Sequence, residues 1–133
     1  MYNLFLDDIR TPESTYTYMI KKIGKPALAY LNVEWTIVRN YLDFISEIEQ
    51  KGLPELISFD HDLADEHYDP SMYLGDYPTE FLEKTGFECA KWLVEYCLDN
   101  DLDTPPFLVH SMNPVGSERI SGLLNNYSNF YNH

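Results

Sequence analysis

Basic side chains are scarce in this chain: nine lysines and arginines stand against 22 aspartates and glutamates, for a net charge of -13 and an isoelectric point near 4.4. A surface of that sign repels phosphate backbones and anionic lipid at long range, which excludes extended nucleic-acid binding. A short phosphate-bearing ligand stays open, because a divalent cation or a local cluster of donors inverts the field inside one cleft. Cysteine is almost missing. Cys89 and Cys97 lie in one helical pattern about 12 Å apart along its axis, too far to bridge, so a disulfide scaffold is excluded and both thiols are expected in the core. No stretch approaches the ~18 apolar residues of a membrane span, and the start Met1 to Asp8 carries no basic leader, so a soluble protein of a reducing cytoplasm is expected, without membrane attachment.

What is present is a core-forming chain. Its 133 residues are 44% hydrophobic and 15% aromatic, too apolar for a disordered tail and long enough for a single domain spanning 1–133. Leu4-Phe5-Leu6 is a short apolar run ending in Asp7-Asp8, the pattern of a doubly buried strand whose carboxyl end emerges into a polar crevice. Trp35-Thr36-Ile37-Val38 forms a second strand, followed by Tyr41, Leu42, Ile45 and Ile48 at helical spacing until Gly52 and Pro54. Leu56-Ile57-Ser58-Phe59 again ends in acid at Asp60-His61-Asp62. Phe87, Ala90, Val94 and Cys97 line a helix, Phe107-Leu108-Val109 is the fourth strand, and His110-Ser111 closes it. Asn113 then stands as an N-cap with Pro114 at the first helical position, and Ile120, Leu123, Leu124 and Tyr127 supply the apolar stripe.

This alternation predicts an α/β fold of three layers, with four parallel strands near residues 3–7, 34–38, 56–60 and 106–110 in spatial order 2-1-3-4. Residues 13–33 and 63–85 stand outside the alternation and read as insertions. From Gly52 to Glu83 there are nine acids and no lysine or arginine, so the second insertion is either a lid over a site or a solvated acidic face.

Right-handed crossovers place every strand's carboxyl end on one edge, where ligands bind. Four scattered motifs thereby become one constellation: Asp7, Asp8 and Arg10; Asp60, His61 and Asp62; His110 and Ser111; Asn113 and Gly116. Carboxylates meeting at strand ends repel unless a cation neutralises them, so a divalent metal on Asp7, Asp8 and Asp60 is expected. Oxygen ligands favour magnesium or manganese over zinc, whereas including His61 or His110 would shift the preference toward manganese, iron or zinc. The competing role for Asp8 and Asp62 is to cap a turn or helix. His61 and His110 can divide base and acid roles, with Asp62 orienting His61 and Ser111 supplying a hydroxyl, which is the chemistry of phosphoester cleavage. The Asn113 to Gly116 helix start offers free N–H groups to a phosphate, and Arg10 and Arg39 could clamp the same anion or relieve local acidic repulsion. His67 and His133 receive no role.

The segments Leu4 to Pro12, Trp35 to Arg39, Ile57 to Leu63, Gly86 to Leu93 and His110 to Gly116 resemble the cyclic-phosphate processing receiver-like domain of bacteria and their phages. The resemblance spans nearly the whole chain, with the Asp-Asp-x-Arg, Asp-His-Asp and His-Ser-x-Asn-Pro-x-Gly blocks in order at strand ends. It implies a divergent receiver fold, that of two-component response regulators, and action on a small nucleotide-derived cyclic phosphate. It also implies a site of Asp7, Asp8, Asp60, His61, Asp62, His110 and Ser111. The two insertions depart from the family pattern, which has a compact glycine-containing turn after the third strand. The expected function is a metal-dependent phosphoesterase. The alternative is a non-catalytic receiver-like binding or signalling module, for which seven Phe and eleven Tyr leave aromatic surface for a protein partner. Phosphoacceptor signalling through Asp60 would need a lysine at the end of a fifth strand, and none follows Lys91. A haloacid-dehalogenase-like phosphatase built on Asp60 and Asp62 would need a later lysine and a second acidic motif, and the 23 residues from Ser111 to the end contain no lysine.

Overall fold

The computed structural model describes residues 2–63 and 85–133. Among them the order is β1 (Asn3–Leu6), α1 (Pro12–Ile23), a 3-10 turn (Lys25–Leu28), α2 (Ala29–Asn32), β2 (Trp35–Val38), α3 (Tyr41–Lys51), β3 (Leu56–Phe59), α4 (Gly86–Asp99), β4 (Phe107–Val109) and α5 (Pro114–Tyr131). The four strands form one all-parallel sheet in the order β2-β1-β3-β4, as the apolar runs predict. Residues 13–33, expected as an insertion, are helical and make the crossover from β1 to β2. Of the second expected insertion, residues 64–84 lie outside the described residues.

Local sequence accounts for where the helices start and stop. Thr11 caps α1 by accepting the Ser14 N–H while Ser14 returns a bond to the Thr11 N–H, and Pro12 needs no partner for the donor it lacks. Asn40 caps α3 through Asp43 N–H, and Asn113 caps α5 through Gly116 N–H at 3.0 Å, as its Asn-Pro start predicts. Gly24 and Gly52 end α1 and α3 at φ 72° and 81°, a region that penalises a Cβ.

The central strand β1 is apolar on both sides because helices cover both faces. Leu4 and Leu6 join Ile57, Phe59, Phe44, Ile48, Cys89, Leu93, Ile120 and Leu124 in the larger core, beneath α3, α4 and α5. Phe5 points to the other face, where it meets Met19, Ala27 and Tyr30 beneath α1 and α2. Both cysteines are buried in the larger core, as expected. Each large core side chain contributes about 1.5–3 kcal/mol of burial. Among the described residues no helix is long and apolar enough to cross a membrane.

The sheet ladders run one residue beyond β1, β3 and β4, and this extension builds the site. Asp7 N–H donates to Val38 O (3.1 Å), Asp60 N–H to Leu6 O (2.9 Å) and His110 N–H to Phe59 O (2.9 Å). Asp7, Asp60 and His110 are therefore held side by side at the carboxyl edge, where strand order reverses about β1 and α/β folds take their ligands.

Candidate functional site

Three strand ends bring together two carboxylates and an imidazole, all buried. Ligand atoms of Asp7, Asp60 and His110 lie within 4.8 Å of one another. The two acids differ in what they accept. Asp7 Oδ1 takes the N–H groups of Ile9 (2.9 Å) and Arg10 (2.7 Å), and Oδ2 takes His110 Nε2–H at 2.9 Å. Burial pushes Asp7 up, but the bonds from His110, Arg10 and Ile9 outweigh it and hold the carboxyl below its usual range. Asp60 accepts only the His61 N–H at 2.9 Å among the described residues. Burial, then the charge of Asp7, raises its pKa to about 7 against the opposing pull of Arg10. Asp7 is thus the acid that holds its proton less tightly than usual and Asp60 the one that holds it more tightly.

His110 is fully buried, and burial lowers its proton affinity more than Asp7 raises it. Its contact with Asp7 is therefore a hydrogen bond from a neutral ring to a carboxylate. Both ring nitrogens are engaged, since Nδ1 lies 2.6 Å from Ser58 Oγ. Tyr18 donates to the His110 carbonyl at 2.7 Å, and its ring lies 5.5 Å from the Arg10 guanidinium. Ser58, Tyr18 and Tyr30 escaped the sequence reading. Ser58 left one signal, a hydroxyl inside an otherwise apolar strand; Tyr18 and Tyr30 left none.

Arg10 reaches over the acids, 3.7 Å from Asp7 Oδ2 and 3.9 Å from Asp60 Oδ1. Arg39 donates instead to main-chain carbonyls, those of Asp7 (3.2 Å) and Arg10 (2.7 Å), and so clasps the loop that follows β1. A cleft of about 100 Å³ opens here between Asp8, Ile9, Arg10, Asp60, Asp62 and Met112. A larger groove of about 370 Å³ runs beside β4 and is lined by none of the constellation.

His61 is held by the other half of the site. Its Nδ1 lies 2.8 Å from Asp62 Oδ1, close enough to place the ring proton between them, and 3.4 Å from the Asn113 amide nitrogen. Two glycines allow the approach of α4 and α5. A Cβ on Gly86 would come within 1.7 Å of the Asp60 carbonyl oxygen, and one on Gly116 within 2.3 Å of the His61 ring. The Gly86 N–H also donates to the His61 carbonyl at 2.7 Å. Ser111 Oγ accepts the Asn113 N–H at 3.0 Å and shapes the turn into α5.

A parallel sheet in the order 2-1-3-4, with acids closing β1 and β3, defines a receiver-like α/β domain. Residues 2–126 match the family described as the cyclic-phosphate processing receiver domain, and the chain belongs to that family. No curated protein and no solved structure matches it.

Proposed function

We propose that this domain is a metal-dependent phosphoesterase acting on a nucleotide-derived cyclic phosphate. The observation that carries the reading is the buried pair of unlike carboxylates, Asp7 anionic and Asp60 raised to about 7, at the sheet's ligand-binding edge. A divalent cation suits this pair: it would offset the burial and the Asp7 charge that together raise Asp60, and oxygen donors from Asp7, Asp8 and Asp60 favour magnesium or manganese. When bound, such an ion polarises a phosphoryl oxygen and neutralises charge developing on it.

The chain's own residues supply the rest. Asp62 orients His61 through Nδ1, leaving Nε2 to exchange a proton with water or the leaving oxygen. The start of α5 spends its Gly116 N–H on the Asn113 cap, so what it turns toward a phosphate is the positive end of its dipole. Arg10 adds a guanidinium beside the acids, while Arg39 and Ser111 hold the two loops in place. His110 braces Asp7.

One observation favours a second reading. Arg10, at 3.7 and 3.9 Å from Asp7 and Asp60, already offers the acids a positive charge, as a non-catalytic receiver-like module that binds a protein partner would require. Phosphorus NMR separates the two. Purified protein is incubated with a panel of nucleoside 2',3'-cyclic and 3',5'-cyclic phosphates and magnesium or manganese. Conversion of a cyclic resonance to a monoester, abolished by His61→Ala, is expected. No conversion across the panel with either metal assigns the domain to the binding module.

A further inference from the structure

Behind the acids lies a chain of hydrogen bonds of which the phosphoesterase reading uses only the last link, His110 to Asp7. Tyr30 OH is 2.6 Å from Ser58 Oγ, Ser58 Oγ is 2.6 Å from His110 Nδ1, and His110 Nε2 is 2.9 Å from Asp7 Oδ2. Tyr30, Ser58, His110 and Asp7 are each at most 1% exposed, so no bulk water completes the chain. Its members come from α2, β3, the end of β4 and the end of β1. The register that pairs Phe5 with Ser58 in adjacent strands sets Ser58 beside the Phe5 ring's face of the sheet.

Hydroxyl groups can donate either way, yet this chain has a direction. The carboxylate of Asp7 only accepts, so Nε2 carries the hydrogen at that end. At the other end the Tyr30 hydroxyl has one partner among the described residues, Ser58. Were Nδ1 the protonated nitrogen, Ser58 would have to accept from it and donate to Tyr30, and the buried Tyr30 hydrogen would be left without an acceptor. Only the sequence Tyr30 to Ser58 to His110 to Asp7 satisfies every group. The ring is also clamped in its plane. It stacks on Phe5 at 4.5 Å with 5° between planes, and Tyr30 meets it edge-on at 6.2 Å.

We infer that Ser58 and Tyr30 are positioning residues that fix His110 as the Nε2–H tautomer, so that His110 orients the Asp7 carboxylate and is not itself a ligand to the cation. The cation held between Asp7 and Asp60 then takes carboxylate oxygen from that pair and no imidazole from His110, a set that favours magnesium and manganese over zinc. This consequence rests on the metal-binding reading proposed above; the tautomer does not.

The test reads the His110 ring directly. In nitrogen-15 labelled wild-type protein without metal, two-bond proton–nitrogen correlations are expected to show a protonated Nε2 and a bare, hydrogen-bonded Nδ1. The same pattern is expected to persist with saturating magnesium. On loading with cadmium-113, no cadmium–nitrogen scalar coupling to His110 is expected. A protonated Nδ1 in the metal-free protein, or a resolved cadmium coupling to Nε2, overturns the inference. Titration calorimetry of manganese supplies the variant test. Ser58→Ala is expected to weaken binding about 10-fold or more, the usual effect of losing a group behind a ligand, and Ser58→Thr to recover most of it. Unchanged affinity in a folded Ser58→Ala protein also overturns the positioning role. Should that variant fail to fold, the wild-type spectra decide the matter, and they do so whether or not any cyclic phosphate is turned over.

Discussion

Replacing Asp60 by asparagine should stabilise the metal-free protein, and more at pH 8 than at pH 5. Asp60 is 4% exposed, and its pKa is raised from 3.8 to about 7 by burial and by the charge of Asp7. The folded state therefore binds this proton more tightly than the unfolded state, and stability falls as pH rises from 3.8 through 7. A displacement of about three pKa units at 1.36 kcal/mol each amounts to at most about 4 kcal/mol at pH 8, of which about 1.6 kcal/mol is already present at pH 5. Asparagine keeps an acceptor for the His61 N–H and has no charge to bury. Asp7 has the opposite sign, since its lowered pKa stabilises the fold above 3.8 and that contribution is lost only as pH falls below it, so it cancels between pH 5 and 8. Urea denaturation of wild type and Asp60→Asn in chelator at the two pH values measures the effect. The gap in unfolding free energy should widen by about 2–3 kcal/mol toward pH 8. A gap independent of pH, or a variant weaker than wild type at pH 8, refutes the argument that burial and the neighbouring Asp7 charge raise Asp60.

Magnesium or manganese at about 100 times its dissociation constant should stabilise wild type by about 2.7 kcal/mol, read as a rise in Tm that Asp7→Asn abolishes. The two glycines beside the site should separate in kind. Gly86→Ala drives a Cβ into the Asp60 backbone and should cost about 1–3 kcal/mol of stability in urea melts. Gly116→Ala meets the His61 side chain, which can swing away, so the fold should survive while turnover of the cyclic phosphate drops about 10²-fold. Phe44→Ala, which empties a fully buried position against Phe59 and Trp92, should cost about 3–5 kcal/mol by the same denaturation assay with no change in metal preference.

Much of this architecture is written locally. An apolar run that stops at Asp7-Asp8 or Asp60-His61-Asp62 already states that the strand is buried on both faces and that its carboxyl end meets solvent or ligand. Asn113-Pro114 states where α5 begins, because a cap needs only neighbours in sequence. With four such runs, crossovers of one hand with one reversal after the first pair generate the order 2-1-3-4. Residues 13–33 resisted the same treatment: the buried positions of α1 include Pro12 and Thr15, so its core face does not read as apolar. What only the tertiary structure decided is which polar atoms meet. Asp7 and Asp60 end strands in much the same way, yet one is surrounded by donors and the other faces its neighbour's charge, so their proton affinities part in opposite directions. Arg39 turned to carbonyls of the β1 loop, and Arg10 to the acids. The Tyr30-Ser58-His110-Asp7 chain joins residues up to 103 positions apart. Hydrophobic period tells which side of an element is buried; strand register and the helix layer above it decide what that side touches.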